Sequence, residues 1–293
     1  MTEVLARSYA IVGTGVAARA LGPALQEAGI DLVAVSGRNE ARASVLAADW
    51  GTEYCPIQDV GARADNVLLC VSDDAVAEVC STLSAGGRLG GRIVVHLAGA
   101  LPLNVLEPAA NAGALLGKLH PIASLSGGSP RLRDIVWGID GSSDEVFSEL
   151  RALVQKLDGL PLDLGKTDLA KYHLASVFAS NFMLAVLSQA VDLWIDSGAP
   201  LPASEALIPL ARTVLANWED LGLENALTGP IVRGDVKAVV GQLRAVNQAE
   251  QHVQDMYLTL ALATAGVALK RGGKHQEAIA DIARLLAENK MVD

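Results

Sequence analysis

Over the first half of the chain, short apolar runs ending in glycine or serine alternate with longer amphipathic stretches. SYAIVG (residues 8–13), DLVAVS (31–36), NVLLCVS (66–72) and RIVVHLAG (92–99) have the length and branched-chain content of buried strands. ALLGKLHP (114–121) and DIVWGID (134–140) are weaker strand patterns. Residues 16–28, NEARASVLAADWG (39–51), DDAVAEVCSTLS (73–84) and SSDEVFSELRALVQKLDG (142–159) read as helices. Asp73 and Asp74 fall in a first turn, where the helix dipole favours acids, and the last of these helices opens on a serine N-cap. Strands alternating with helices of this length predict an α/β domain with a mostly parallel sheet covered on both faces. The pattern changes near Gly165. From Thr167 onward no strand pattern is found, and helical periodicity covers roughly 167–196, 203–222, 235–270 and 274–290. Breaks fall at Gly198-Ala-Pro200, Thr228-Gly-Pro230 and Gly272-Gly273. Two domains are expected: an α/β domain over 1–165 and an all-helical domain over 166–293.

GTGVAA (13–18) directly follows the first strand and opens the first helix. It fits the G-x-G-x-x-G/A pattern of a Rossmann-type dinucleotide site. Gly13 permits the tight turn, Gly15 lets backbone approach a pyrophosphate, and Ala18 lets helix and strand pack closely. Thr14 and Val16 complete the turn. The second strand commonly ends in an acid that holds a ribose; here it ends SGRN, and Asp31 lies at its start. Ser36, Arg38 and Asn39 offer a hydroxyl, a guanidinium and an amide, donors suited to a 2′-phosphate. NADP is therefore the expected cofactor. Val71, Ser72 and His96, at the ends of the following strands, are expected near its nicotinamide end.

GTGVAAR, SGRN, VSDDAV, VVHLAGAL and KLHPIAS, with KYHLASVFASN and LTGPIVRGD in the second half, resemble a bacterial two-domain family. In that family a Rossmann-like domain is fused to a helical C-terminal domain of unknown function, and its members are described as candidate NADP oxidoreductases. The chain is more distantly similar to pyrroline-carboxylate reductase, 3-hydroxyisobutyrate dehydrogenase and prephenate dehydrogenase. The resemblance implies NADP binding and a homodimer formed through the helical domain; it supplies no substrate. The hydroxyisobutyrate group carries a catalytic lysine on its long helix with asparagine one turn on. Here Lys171 is followed by Ala175 and Ser176, so that role does not transfer.

Hydride transfer to C=O or C=N needs a proton donor or a group that stabilises the resulting charge. At about 100° per residue, His173, Ser176 and Ser180 share one face of the long helix, with Asn181 to one side and Lys171 nearly opposite. His173 is the first candidate proton donor, with His120 of the His-Pro pair and Asn181 as further catalytic candidates. Ser176 and Ser180 could face substrate or serve helix packing. Arg233 in LTGPIVRGD could hold a carboxylate, and Thr228 could contact substrate or cap a short helix beginning at Pro230. IASLSGGSP (122–130) is expected to be a flexible loop.

Composition narrows the classes. Of 293 residues, 51% are hydrophobic but only 4% aromatic, so the core is expected to be mostly Ala, Leu and Val. A net charge of −10 without a long basic run argues against nucleic-acid binding. Cys55, Cys70 and Cys80 form no C-x-x-C pair and are expected to be buried thiols; the scattered histidines predict no metal site. The uncharged run Met256–Leu269 is too short for a bilayer, and no secretory pattern is seen, so a soluble cytoplasmic protein is expected. Two readings follow: an NADP(H)-dependent oxidoreductase of a small carbonyl or imine substrate, or an NADP-binding sensor or scaffold without turnover. Arg38→Ala is expected to weaken NADPH binding far more than NADH binding in fluorescence titrations; equal losses would contradict the assignment.

Overall fold

The computed structural model describes residues 7–125 and 132–290. The loop expected after Pro121 falls partly on residues 126–131, outside the described residues. The chain divides into two compact units, Met1–Asn181 and Phe182–Asp293.

The first unit is built on an eight-stranded sheet. Its strands are β1 (Tyr9–Val12), β2 (Leu32–Ser36), β3 (Glu53–Tyr54), β4 (Asn66–Leu69), β5 (Ile93–His96), β6 (Leu115–Pro121), β7 (Val136–Gly141) and β8 (Leu160–Asp163). The spatial order is β3-β2-β1-β4-β5-β6-β7-β8, and every pairing is parallel except β6 with β7. Helices α1 (Val16–Glu27), α2 (Glu40–Asp49), α3 (Val76–Ala85), α4 (Glu107–Asn111) and α5 (Asp144–Lys156) connect the strands. Successive strand residues feed opposite cores, which explains the unbroken apolar runs in the sequence. Ile11, Leu68, Val95 and Leu119 pack with Leu21, Leu46 and Leu150 on one face. Val12, Leu69, Val94 and Leu116 pack with Val79, Leu83 and Leu106 on the other.

The sheet's N-terminal edge is closed by a buried polar knot. Glu149 Oε1 accepts from the Tyr9 hydroxyl at 2.7 Å and from Asn66 Nδ2 at 3.0 Å, tying α5 to β1 and β4. The opposite, C-terminal edge carries the loops that follow β1, β2, β4 and β5, and with them the candidate site.

The sheet ends at Asp163, close to the expected break near Gly165, but the compact unit runs on to Asn181. The added segment is α6 (Leu169–Val177), capped by Asp168, whose side chain accepts from the Lys171 backbone amide. Its first turns pack against the sheet edge, so it belongs with the strands despite its helical sequence. A π-helical turn, Phe178–Phe182, follows it.

The second unit contains α7 (Met183–Asp196), α8 (Ala203–Leu221), α9 (Leu223–Ala226), α10 (Val236–Val246), α11 (Gln251–Arg271) and α12 (Gln276–Lys290). The single helix expected over 235–270 is two helices, separated at 247–250 without glycine or proline. Val239, Leu243, Leu258, Ala265, Ile282 and Leu286 form this unit's core. The run Met256–Leu269 thus lies in a core helix. A longer uncharged run, 174–191, lies within the helical stretch Leu169–Asp196, which by length and composition alone could cross a membrane. Neither α7 nor α8 contains a buried residue.

Candidate active site

The turn after β1 is shaped for a close backbone approach. Gly13 has φ +137°, and a Cβ there would lie 2.1 Å from the Cys70 carbonyl oxygen, so any side chain would drive β1 and β4 apart. Gly15 has nothing within 4 Å of the Cβ position, and Ala18, in the first turn of α1, is completely buried. These features leave a cleft of about 240 Å³ at the topological switch between β1 and β4. Gly13, Thr14 and Gly15 line it from one side, Cys70, Val71 and Ser72 from another. Arg38, Asn39 and Arg42 stand at the β2 end. This set fits a dinucleotide: a glycine turn at a helix N-terminus for the pyrophosphate, and two guanidinium groups beyond β2 for an anionic ribose substituent.

Ser36, His96 and Val16 do not line the cleft, and Asn39 has a second role. Ser36 is fully buried and its hydroxyl lies outside the cleft, because the last residue of β2 points into the core; Arg42, one turn into α2, stands at the cleft instead. Asn39 lines the cleft, but its side chain is also the α2 cap, accepting from the Arg42 amide at 2.9 Å. His96 is fully buried beneath the loop 97–101 rather than exposed at the strand end. Val16 is 52% exposed at the start of α1 and does not line the cleft.

Two strands over from β4, at roughly 10 Å by sheet spacing, the β6 end carries a polar cluster. Leu69, His96, Lys118 and Asp140 stand level across β4, β5, β6 and β7, and His120 lies two residues beyond Lys118 on the same face. His120 Nδ1 is 2.7 Å from the Tyr172 hydroxyl, and the rings meet edge to face at 5.5 Å. The His120 and His173 ring centroids are 6.5 Å apart. Both rings lean over Gly99: a Cβ at that position would lie 2.8 Å from His120 Nε2 and 2.8 Å from His173 Cδ2. Gly99 is therefore a floor that no larger residue could form without displacing a histidine.

Burial, reinforced by the Lys118 charge and then by His173, pushes His120 down to about 4. Burial likewise pushes His96 down to about 4, with Lys118 and His120 adding to the effect. Both are neutral at pH 7. Burial pushes the Tyr172 phenol up to about 12. A neutral His120 whose Nδ1 accepts from Tyr172 has its remaining proton on Nε2, facing Gly99 and His173. The arrangement can donate one hydrogen bond from His120 and one proton from His173 to a group resting over Gly99.

The structure thus brings His120 and His173 together. It does not bring Asn181 to them: that residue lies in the π turn, roughly 12 Å along the helix from His173, where its Oδ1 accepts from the Ser180 hydroxyl. Ser176 and Ser180 donate to the carbonyls of Tyr172 and Ser176, one turn back in their own helix. Lys171 is 85% exposed and pairs with Asp168 at 3.1 Å. Thr228 and Arg233 are exposed in the second unit; there the backbone forms a turn, and Asp235 rather than Thr228 caps the following helix, α10. Sequence reasoning missed Tyr172, Gly99, Lys118 and Arg42. The one available signal was Lys118 itself, a lone charge inside the apolar run LLGKL.

Comparison with known proteins agrees with this architecture. Residues 5–121 match the model of a Rossmann-like domain, and residues 135–264 match a domain of unknown function, DUF2520. A candidate NADP oxidoreductase from Bacteroides fragilis is 25% identical, with a TM-score of 0.73, covering 89% of this chain and 98% of its own. A protein from Thermotoga maritima is 23% identical, with a TM-score of 0.64, covering 96% and 99%. A reductive aminase from Aspergillus terreus, solved with NADPH and ethyl-5-oxohexanoate, shares the fold at 20% identity, with a TM-score of 0.63 and coverage of 97% and 93%. A search of curated proteins gave no match.

The two depressed histidines make stability acid-sensitive. Between their ordinary value of 6.5 and about 4, the unfolded chain binds protons that the folded chain refuses. Stability present above pH 6.5 is lost as pH falls through this window, at about 1.4 kcal/mol per pH unit for each histidine. Denaturant titrations should show that slope, and His120→Asn should roughly halve it. Stability that is flat between pH 6.5 and 4 would contradict the burial-driven shifts.

Proposed function

On the premise that the chain joins a Rossmann-like domain to a DUF2520 domain, we propose that it is an NADP(H)-dependent oxidoreductase of small carbonyl or imine compounds, including ones that bear a carboxylate. The observation that carries this reading is the convergence of His120 and His173 over Gly99, level with the strand end whose next residues line the dinucleotide cleft. The likeness to a candidate NADP oxidoreductase, and the fold shared with an NADPH-bound reductive aminase, support it. Arg38 and Arg42 line the β2 end of the cleft and no acid is among its lining residues, which favours NADP over NAD.

When bound, the reduced cofactor supplies a hydride to the substrate carbon. The chain's own residues manage the charge left on the heteroatom. His120 donates from Nε2 to that atom, as a neutral group held in one tautomer by Tyr172. His173 supplies the proton. Tyr172 acts through His120 and is a positioning residue.

The helical unit supports a second copy of the chain as partner. Leu184, Ile195, Leu210, Val214, Trp218 and Leu221 are each 51–64% exposed on α7 and α8. Asp192, Asp196, Glu205, Arg212, Glu219 and Asp220 are interspersed among them, which suits a protein interface better than a lipid one. With three free, buried thiols, a cytoplasmic homodimer is the form we propose. Sedimentation should give a dimer at micromolar concentration without detergent; a monomer would contradict it.

The enzymatic reading is tested by NADPH oxidation over a panel of keto acids, ketones and imines. Turnover is expected with at least one class. His173→Ala should lower kcat by about 10²–10⁴-fold with NADPH affinity unchanged. Tight NADPH binding without turnover on any of these classes would overturn it in favour of a sensor.

A further inference from the structure

The most deeply buried charge near the site belongs to Lys118, which the chemistry above does not use. Its residue is fully buried on β6, and its Nζ donates to the Gly99 carbonyl at 2.7 Å and to the Leu101 carbonyl at 3.0 Å. An ammonium in the interior of a sheet costs stability unless it is hydrogen-bonded, and here two loop carbonyls supply the bonds. The two carbonyls it holds belong to the loop that places Gly99 under His120 and His173. We propose that Lys118 is a positioning residue for the reaction: its ammonium, held by the Gly99 and Leu101 carbonyls, ties down the 97–101 loop that carries Gly99 against His120 and His173. This proposal rests on the oxidoreductase reading of the same site.

The charged and titratable groups around Lys118 come from every neighbouring element. His96 stands beside it on β5, Asp140 on β7, Asp73 in the turn after β4, His120 two residues on, and Tyr172 and His173 on α6. Asp140 and Asp73 favour its charge, while burial opposes it more strongly and pushes it down to about 8. It is thus mostly protonated at pH 7. The same charge opposes a second one on His96 or His120, and it is the largest influence after burial on both. Across roughly 10 Å of sheet from the dinucleotide cleft, Lys118 does not line that cleft, so its loss should spare cofactor binding.

Two variants separate the charge from the tether. Lys118→Met removes both; Lys118→Gln removes the charge and keeps a donor for the loop carbonyls. In both, NADPH affinity should match the wild type. The His120 ring, followed by NMR, should titrate higher than in the wild type. The acid limb of the pH–rate profile should move toward neutrality with it. At pH 7.5 Lys118→Met should lose at least 10-fold in kcat, and Lys118→Gln should recover part of that loss. Unmoved His120 titration in a variant that binds NADPH normally overturns the role of the charge, and a Gln variant no faster than the Met variant overturns the role of the tether. If neither variant folds, the wild type decides: as Lys118 loses its proton near pH 8, the His120 ring and Gly99 amide shifts should move with it, and shifts that stay constant overturn the proposal. These ring measurements stand without turnover, so failure of the oxidoreductase reading would show separately, as NADPH binding with no rate on any substrate.

Discussion

Two histidines and a glycine share a space in which a single extra methyl group would not fit. His120 arrives from a strand, His173 from the helix that leaves the sheet, and Gly99 from the loop after the neighbouring strand. That close approach fixes the separation of the two rings, the burial that neutralises His120, and the direction in which its Nε2 points. The Lys118 ammonium fixes the third member by holding the carbonyls on either side of Ala100. Gly99, His120 and His173 are separated from one another by 21 residues or more, yet each lies within four residues of a strand end or a helix start. The parallel sheet makes this possible, because it delivers successive loops to one edge.

The same edge carries the dinucleotide cleft, and here too the backbone sets the terms. Gly13 can adopt its left-handed φ and pass the Cys70 carbonyl because it lacks a side chain. The cleft then follows from the strand order, with Arg38 and Arg42 left at its far end. The cleft and the histidine pair thus lie on one edge of the same sheet, two strands apart.

The alternation of apolar runs made six of the eight strands legible, together with the glycine turn and the arginine beyond β2. The short edge pair Glu53–Tyr54 escaped because two residues carry no period, and Leu160–Asp163 because Pro161 and an exposed Leu160 disguise an edge strand. A strand end could be located but not its facing: Ser36 and His96 were both expected to meet cofactor, and both point into packed interior. The helical wheel correctly separated His173 from Lys171. It could not show that Ser176 and Ser180 bond back into their own helix, nor that the residue beside His173, Tyr172, reaches His120 from 52 positions away. Contacts of that range leave no trace in periodicity.

In the proposed reaction His120 and His173 face the place where hydride transfer occurs, and a crystal structure of the protein with NADPH tests this. The adenosine end is expected beside Arg38 and Arg42, the pyrophosphate on the Gly13–Gly15 turn, and the nicotinamide ring next to Gly99, with room for one small molecule between it and the two histidines. A nicotinamide directed away from Gly99, with His120 and His173 packed against protein alone, would contradict it.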